Sequence, residues 1–394
     1  MNGLIVKNVR IYSPEPMGSG DVFIFGGKIA KTGKHISWDA FKECGCTVQT
    51  IDGTGLLAVP GFIDQHVHFN GAGGEGGPLY RTPPTPLSVL IKAGITTAIG
   101  LLGTDGFTRS LRELLMKARS LESQGITTKI FTGAYQIPGP VLTSDIASDI
   151  ILIDKVIGLK IAYSDHRSSH AGIQTLRETV SQARVGGILS GKSGAVMIHI
   201  GEGPHRLRPF LNIAETTDIP LSQFIPTHLN RSREVLEESV LWGKEGGYVD
   251  ISAGVSSRYG FVSAVSPGSA VLQLLERGVA EDRITMSSDG NGVMTVTDPA
   301  TGKHRPLIAP VRSLFEEFVQ MVREGIPLET ALRIVSTNAA DHLRLSGKGR
   351  IMEDADADIL LLHEDDFSLS SVIARGEIVF ENGSVTKRGL FEEE

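Results

Sequence analysis

Two histidines separated by one residue, His66 and His68, follow an apolar run that extends from Leu57 to Asp64. If this run is a β-strand, side chains at positions i and i+2 point to the same face. Two imidazoles would then leave one end of a strand together, which is the arrangement that a chelated metal ion requires. A structural or surface pair of histidines is the alternative, because the motif is short and the chain has 11 histidines.

Four further apolar runs carry a polar residue at or near their ends, and these residues are Lys160, His199, His228 and Asp289. A histidine and aspartate set suits zinc. Burial depresses the pKa of a lysine. Its neutral amine can react with carbon dioxide to form a carbamate, a two-oxygen anionic ligand that can bridge two metal ions. Two zinc ions with a bridging hydroxide would stabilise an anionic tetrahedral intermediate. The residue types therefore predict metal-assisted hydrolysis. For any one of these residues, a buried structural role is the alternative.

Residues 57–344 must bring these side chains together, and in this segment apolar runs alternate with amphipathic ones. Eight candidate strands end near His68, Leu102, Tyr135, Lys160, His199, His228, Ser252 and Asp289. Helical patterns between them include 110–121, 175–183, 234–242 and 270–275. Eight strands with helical crossovers predict an α/β fold of the (β/α)8 TIM-like barrel type, whose strand ends converge on one mouth. A doubly wound sheet is the alternative.

Both ends of the chain have a different pattern. Residues 1–56 contain short alternating runs, with a Gly26-Gly27 hairpin signal, and residues 345–394 contain similar runs. We therefore expect both chain termini to form one small β-sandwich domain beside the metal-dependent barrel.

The composition is that of an ordinary globular enzyme. The 394 residues are 41% hydrophobic and 21% charged, and the net charge of −7 gives no reason to expect nucleic acid or an acidic membrane as a partner. Cys44 and Cys46 are too close in sequence to suggest a disulfide framework. No signal peptide and no apolar stretch of about 18 residues is present, so we expect a cytoplasmic location.

Two glycine-rich motifs predict loops and not nucleotide sites. Residues 71–76 match G-x-G-x-x-G, but four prolines follow within ten residues of Gly76, where a dinucleotide fingerprint requires a helix. Residues 186–193 match a P-loop, but here a helix precedes the motif and a strand follows it, which reverses the required order. We interpret the first as a ligand-facing loop and the second as a turn from helix to strand.

The chain resembles the binuclear amidohydrolase superfamily in the order of its histidines, lysine and aspartate. Longer segments are similar to the isoaspartyl (β-aspartyl) dipeptidase family over nearly the whole chain. These segments are 60–68, 73–75, 101–105, 132–135, 164–167, 184–187, 226–231 and 287–292. The resemblance implies zinc, a carboxylated lysine, a cytoplasmic location and a symmetric homo-oligomer.

The resemblance also implies a role for each matching residue. It implies that His66 and His68 bind one zinc ion, that His199 and His228 bind the other, and that carbamylated Lys160 bridges them. Asp289 would ligate metal and carry the proton from water to the leaving amine, and Tyr135 would polarise the scissile carbonyl. Substrate would be bound by Glu75, at its α-amino group, and by Thr104, Arg167 and Arg231, with the arginines on its carboxylates.

The charges of these residues suit a β-aspartyl dipeptide, which has one ammonium group and two carboxylates. One glutamate and two arginines form the complementary set, whereas an α-dipeptide of neutral residues would leave one arginine unpaired. Plain surface charge on barrel loops is the alternative for Glu75 and Arg167. Val293 departs from the family pattern, which has a small hydroxyl residue there, and this change affects substrate contacts and not the metals.

Three other functions remain open. A cyclic-amide hydrolase of the dihydroorotase or dihydropyrimidinase type and an N-acyl-amino-acid deacylase would use the same chemistry. A neutral cyclic substrate would not need Glu75 together with two arginines. A non-catalytic assembly protein could keep the barrel, but it would not need all the candidate metal ligands.

Overall fold

A computed structural model describes residues 2–261, 263–297 and 304–393 of the chain. The N-terminal part forms β1 (Asn2–Tyr12), β2 (Pro16–Phe25), β3 (Lys28–Gly33), α1 (Asp39–Glu43), β4 (Thr47–Asp52) and β5 (Leu56–Pro60). The hairpin between β2 and β3 turns at Gly26 and Gly27, which both have positive φ, so the glycine pair supplies the turn that the sequence predicts.

The middle of the chain alternates strands with helices. Its strands are β6 (Phe62–Val67), β7 (Ile95–Gly100), β8 (Thr127–Gly133), β9 (Val156–Tyr163), β10 (Ala195–Ile200), β11 (Phe224–Thr227), β12 (Val249–Ser252) and β13 (Ile284–Ser287). Its helices are α2 (Leu87–Lys92), α3 (Leu111–Gln124), α4 (Ile146–Leu152), α5 (Ile173–Ser190), α6 (Arg208–Thr216), α7 (Arg233–Lys244) and α8 (Pro267–Glu276).

The last part begins with the antiparallel pair β14 (Val293–Thr297) and β15 (His304–Ile308). It continues with α9 (Ser313–Arg323), α10 (Leu328–Leu332), a π-helical turn at Arg333–Thr337 and α11 (Asn338–His342). The chain then forms β16 (Ile359–His363), β17 (Leu369–Ala374), β18 (Glu377–Glu381) and β19 (Ser384–Val385).

The eight strands β6–β13 form a TIM-barrel-like wall. Parallel pairing joins β6 through β11 in chain order, and β12 pairs with β13. Contacts between β11 and β12 and between β13 and β6 close the ring. At the closing seam, His68 N donates to Gly290 O at 2.9 Å and Gly290 N donates to His66 O at 3.2 Å. The closure therefore brings the first and last strands together at the residues that could bind a metal.

Sequence features explain where the helices of this wall begin and end. Ser110 caps α3 by accepting a hydrogen bond from Glu113 N, and Ser232 caps α7 in the same way. Gly191 ends α5 in the left-handed region. Residues 186–190 belong to α5. The turn predicted over 186–193 is therefore confined to residues 191–193 and Gly194.

Strands from both chain ends join in one sheet, which has nine strands within the described residues. The order is β19-β18-β17-β16-β5-β1-β2-β3, and β4 pairs with β1. The decisive contact between the two ends is the antiparallel pairing of β16 with β5. The sandwich arrangement and the domain boundaries predicted for these termini remain predictions.

The apolar run from Leu57 to Asp64, expected to be one barrel strand, is instead two strands. Its first half is β5 of the terminal sheet and its second half is β6 of the barrel, and Gly61 lies between them. A Cβ atom at Gly61 would overlap the Thr96 side chain, so only glycine allows the chain to pass there. Near the other end of the chain, Arg375 and Gly376 form the turn between β17 and β18.

None of the helices in the described part of the chain combines the length and the apolar character that a membrane span needs.

Candidate active site

The carboxyl ends of the barrel strands bring the sequence-predicted histidines into one cluster. His66 lies in β6, His199 lies in β10, and His68 and His228 follow β6 and β11. The ring centroid of His228 is 5.3 Å from that of His66 and 4.7 Å from that of His199, and His66 is 5.4 Å from His68. All four side chains are buried. The structure therefore brings the four candidate histidines together.

Asp289 completes this cluster from the segment after β13. Its Oδ1 lies 3.1 Å from His66 Nε2 and 3.2 Å from His68 Nε2. The residue has a φ of 54°, in the left-handed region, which turns the chain just past the strand end. Burial alone would raise the pKa of Asp289, but the neighbouring His66 and His68 outweigh it and lower that pKa. The carboxylate is therefore an ionised acceptor facing two imidazoles.

Lys160 reaches the cluster from deeper in the barrel than the sequence predicts. It lies inside β9, opposite Met197, whereas His199 lies opposite Ala162 on the next inward-facing level. Two residues along a strand cover about 6.6 Å, a distance that the extended lysine side chain spans. The long side chain of a lysine can thus extend to the level of the histidines, which a shorter side chain would not reach.

The amine of Lys160 is fully buried and has no hydrogen-bond partner among the described residues. Its Nζ lies 5.9 Å from the centroid of the Tyr135 ring. Burial lowers the pKa of Lys160 to about 7, although Asp289 and Asp250 act in the opposite direction. Near neutral pH this lysine is therefore divided between the ammonium and the reactive neutral amine.

The cluster fits a metal ion. Ligand atoms of His66, His228 and Asp289 lie within 4.8 Å of one another. Burial lowers the pKa of His66 and of His228, so both imidazoles are neutral and keep a lone pair. The Nδ1 atoms of His66 and His68 are buried without a partner within the described structure. Nitrogen and carboxylate donors in this combination are those that zinc prefers.

Tyr135, which follows β8, faces the cluster. Its hydroxyl is 2.6 Å from His199 Nδ1, and the two rings are 4.6 Å apart. Burial raises the pKa of Tyr135, so the hydroxyl keeps its proton and can donate. A second hydroxyl, that of Ser252, lies 2.7 Å from His228 Nδ1 and orients that ring.

A charged group borders the cluster on its solvent side. Arg167 Nη1 donates to Glu75 Oε1 at 3.1 Å, and the Thr104 hydroxyl donates to the same oxygen at 2.9 Å. Arg231 is close to Tyr135 and Arg167, and its Nη1 donates to Ile200 O at 2.8 Å. The structure therefore brings all four residues predicted to bind substrate to one side of the histidines.

A cavity of about 560 Å³ opens next to these residues. Glu75, Thr104 and Arg167 form part of its wall, and the loop at 73–78 and Phe107 form the outer part. Val293 packs against Gly73 of this loop, so the departure noted in the sequence lies beneath the segment that carries Glu75.

Three buried residues of the site have no role in the sequence analysis. Asp165 binds both His199 and Arg167, Ser252 orients His228, and Asp64 accepts from His66 N and Ser288 N. Asp165 and Asp64 lie in segments that resemble the family, within three residues of a candidate site residue. This proximity is the feature of the sequence that could have identified them.

Comparison with known proteins agrees with this geometry. The Amidohydrolase family model matches residues 261–379. The crystal structure of β-aspartyl dipeptidase from Fervidobacterium islandicum AW-1 in complex with β-Asp-Leu is 38% identical, covers 98% of each chain and superposes with a TM-score of 0.90. A D-hydantoinase structure, at 19% identity and a TM-score of 0.71 with 99% of this chain and 98% of that chain covered, shares the fold.

Among curated sequences, adenine deaminase 2 from Carboxydothermus hydrogenoformans is 24% identical over 96% of this chain. The chain spans only 58% of the length of that relative.

The barrel and its histidine cluster thus define an amidohydrolase. More narrowly, the chain belongs to the β-aspartyl dipeptidase family, because its similarity to the Fervidobacterium structure extends over 98% of both chains. It is a hydrolase of the dipeptidase class.

Proposed function

We propose that this protein hydrolyses the isopeptide bond of β-aspartyl dipeptides. The observation that carries the proposal is the pair formed by Glu75 and Arg167, whose charged atoms are 3.1 Å apart beside the histidine cluster. A β-linked aspartyl residue has a free ammonium and a free carboxylate on the same carbon. Glu75 and Arg167 offer one opposite charge to each, and an α-linked aspartyl residue lacks that free α-carboxylate.

The relative with bound β-Asp-Leu supports this substrate class, since 38% of its residues are identical over nearly the whole chain. Hydantoinase and allantoinase relatives, whose identities are 19% and 23%, leave a cyclic amide as the competing substrate. A neutral ring has no charge for Glu75 or Arg167, so these residues favour the dipeptide.

We further propose two zinc ions, held by His66, His68, His199, His228, Asp289 and a carbamate on Lys160. The unpartnered amine of Lys160 and the unpartnered imidazole nitrogens support this ligand set. When bound, the metal pair would supply a bridging hydroxide as nucleophile and Lewis acidity toward the scissile carbonyl.

The remaining chemistry belongs to side chains of this protein. Asp289 is ionised and faces the cluster, so it can accept the proton of the attacking water and return it to the leaving amine. Tyr135 remains protonated and can donate a hydrogen bond to the carbonyl oxygen as negative charge develops there. Arg231 would take the second carboxylate of the substrate, with Thr104 holding the carboxylate of Glu75 in place.

Other expectations from the sequence remain part of the proposal. These are a division into a barrel at 57–344 and a β-sandwich formed by residues 1–56 and 345–394, a cytoplasmic location and a homo-oligomer. Pairing of β5 with β16 supports a terminal domain, although it places residues 57–60 with that domain.

The proposal is tested by comparing hydrolysis of β-Asp-Leu, α-Asp-Leu and dihydroorotate by one zinc-loaded preparation. We expect kcat/KM for β-Asp-Leu to exceed that for α-Asp-Leu by at least about 100-fold. The free aspartyl carboxylate of the α-linked isomer is not on the carbon that bears the ammonium, so it would not pair with Arg167 while Glu75 holds the ammonium. A preparation that prefers dihydroorotate would reject the dipeptidase assignment in favour of a cyclic-amide hydrolase.

A further inference from the structure

Asp165 lies between the histidine cluster and the proposed substrate-binding arginine. Its Oδ2 accepts hydrogen bonds from His199 Nε2 and from Arg167 Nη2, each at 2.9 Å. Its Oδ1 accepts from Arg167 Nε and from the Arg167 backbone N–H, also at 2.9 Å. A single carboxylate, 8% exposed, is therefore shared by a candidate metal ligand and a candidate substrate ligand.

The loop after β9 is shaped to hold this carboxylate in place. Ser164 has a φ of 55°, which turns the chain, and Ser168 donates to Asp165 O through both its N–H and its hydroxyl. Gly201 packs directly on Asp165, and a Cβ atom there would lie 2.7 Å from the Asp165 Cα. The position of Asp165 thus depends on backbone contacts from two strand ends as well as on its ion pair.

The shared carboxylate determines which His199 nitrogen carries the proton. An ionised carboxylate only accepts hydrogen bonds, and a guanidinium only donates them. His199 Nε2 must therefore carry the proton that Asp165 accepts. Nδ1, the nitrogen beside the Tyr135 hydroxyl, then keeps the lone pair that a metal needs.

The same carboxylate also orients Arg167. Arg167 Nη2 lies 3.1 Å from His199 Nε2, and two donors cannot bond to each other at that distance. The Asp165 oxygen that both approach holds them side by side. It leaves Nη1 of Arg167 directed toward Glu75, and this nitrogen would bind the aspartyl carboxylate of the substrate.

We propose that Asp165 is a positioning residue that couples the two halves of the site, because it sets the tautomer of His199 and the direction of Arg167. Only the part of this inference that concerns substrate binding rests on the proposed function. Loss of the Asp165 carboxylate should weaken metal binding and substrate binding together, whereas loss of Arg167 should weaken substrate binding alone.

The experiment measures zinc affinity, by competition with a chromophoric chelator, and KM for β-Asp-Leu in D165N, R167M and the unmodified protein. We expect D165N to lower zinc affinity by about 10–100-fold, the usual effect of removing a partner of a metal-bound histidine, and to raise KM. R167M should raise KM and leave zinc affinity within about twofold, since it does not alter the His199 acceptor. The visible spectrum of the cobalt-substituted protein should change in D165N and not in R167M.

His205 provides the matched control, because it is exposed in the loop that follows β10. H205Q should leave zinc affinity, spectrum and KM unchanged. If D165N does not fold, D165E keeps the charge and should bind zinc more tightly than D165A. If D165N has the zinc affinity and the cobalt spectrum of the unmodified protein, the proposal for Asp165 is overturned, whatever the substrate is. If D165N changes zinc affinity but the unmodified protein does not hydrolyse β-Asp-Leu, the proposed function is rejected and the role of Asp165 is retained.

Discussion

Replacing Glu75 with glutamine tests how the site recognises a free α-amino group. The substitution keeps the shape of the side chain and one oxygen acceptor, but it removes the negative charge. Arg167 keeps its bidentate pair with Asp165, so the arginine should stay in place. The metal cluster should also be unaffected, because the partners of the Glu75 carboxylate are Thr104 and Arg167.

The magnitude follows from the exposure of this pair. A hydrogen bond to a charged group contributes about 1.5–3 kcal/mol, which corresponds to roughly 10–150-fold in an equilibrium or rate constant. The Glu75 side chain is 31% exposed and that of Arg167 is 25% exposed, so water screens part of the interaction. We therefore expect kcat/KM for β-Asp-Leu to fall by about 10–50-fold in E75Q, toward the lower part of that range.

The assay compares β-Asp-Leu with its N-acetyl derivative, which has no ammonium group. E75Q should change kcat/KM for the blocked substrate by no more than about threefold, since no charge pair is lost. E237Q is the matched control, because Glu237 forms an exposed ion pair with Arg277 on the barrel surface, and it should change neither rate. Equal losses for the free and the blocked substrate would refute the role of Glu75.

Three further predictions concern the chemical centre. K160A should lose most activity, and bicarbonate with a short carboxylic acid should restore part of it; no rescue with unchanged zinc content would contradict a carbamate. Because burial lowers the pKa of Lys160 to about 7, and only the neutral amine reacts, bicarbonate-dependent zinc reloading should accelerate from about pH 6 to pH 8. A reloading rate independent of pH would exclude this explanation. Y135F should lower kcat by about 100–1,000-fold while zinc content stays constant, as loss of one carbonyl-oxygen donor does elsewhere; a change confined to KM would assign Tyr135 to binding.

The barrel was predictable from the sequence because the candidate metal ligands fall at or near the ends of regularly spaced apolar runs. Each of the eight strands is short and mostly buried, and most of the predicted ends fall within two residues of the observed ones. Lys160 is the exception, because a long side chain can act at the mouth from an earlier position in its strand. The pattern of apolar runs therefore predicts the positions of candidate histidine and aspartate ligands better than the position of a candidate lysine ligand.

Membership of a sheet was harder to predict than the presence of a strand. The residues of β5 and β6 are all buried, so both halves of the run look like central barrel strands. Gly61, which packs against Thr96, lies at the division between them, and that contact depends on a residue 35 positions later in the chain. The strands of the terminal sheet were predicted as a group. The pairing of β5 with β16 joins segments that are far apart in the sequence, so it could not be predicted from the local pattern.

The role of Asp165 shows why residues that support a site are harder to predict than residues that form it. A metal ligand is constrained by chemistry to a few residue types at a strand end, and those are visible in the sequence. Asp165 acts through a turn at Ser164 and through the absence of a side chain at Gly201, which follows the adjacent strand β10. Its carboxylate contacts the outer nitrogen of His199, so its effect on the metal requires the orientation of a ring that sequence does not specify. Because the same carboxylate bonds both the histidine and the arginine, substitutions at this aspartate should change metal binding and substrate binding together.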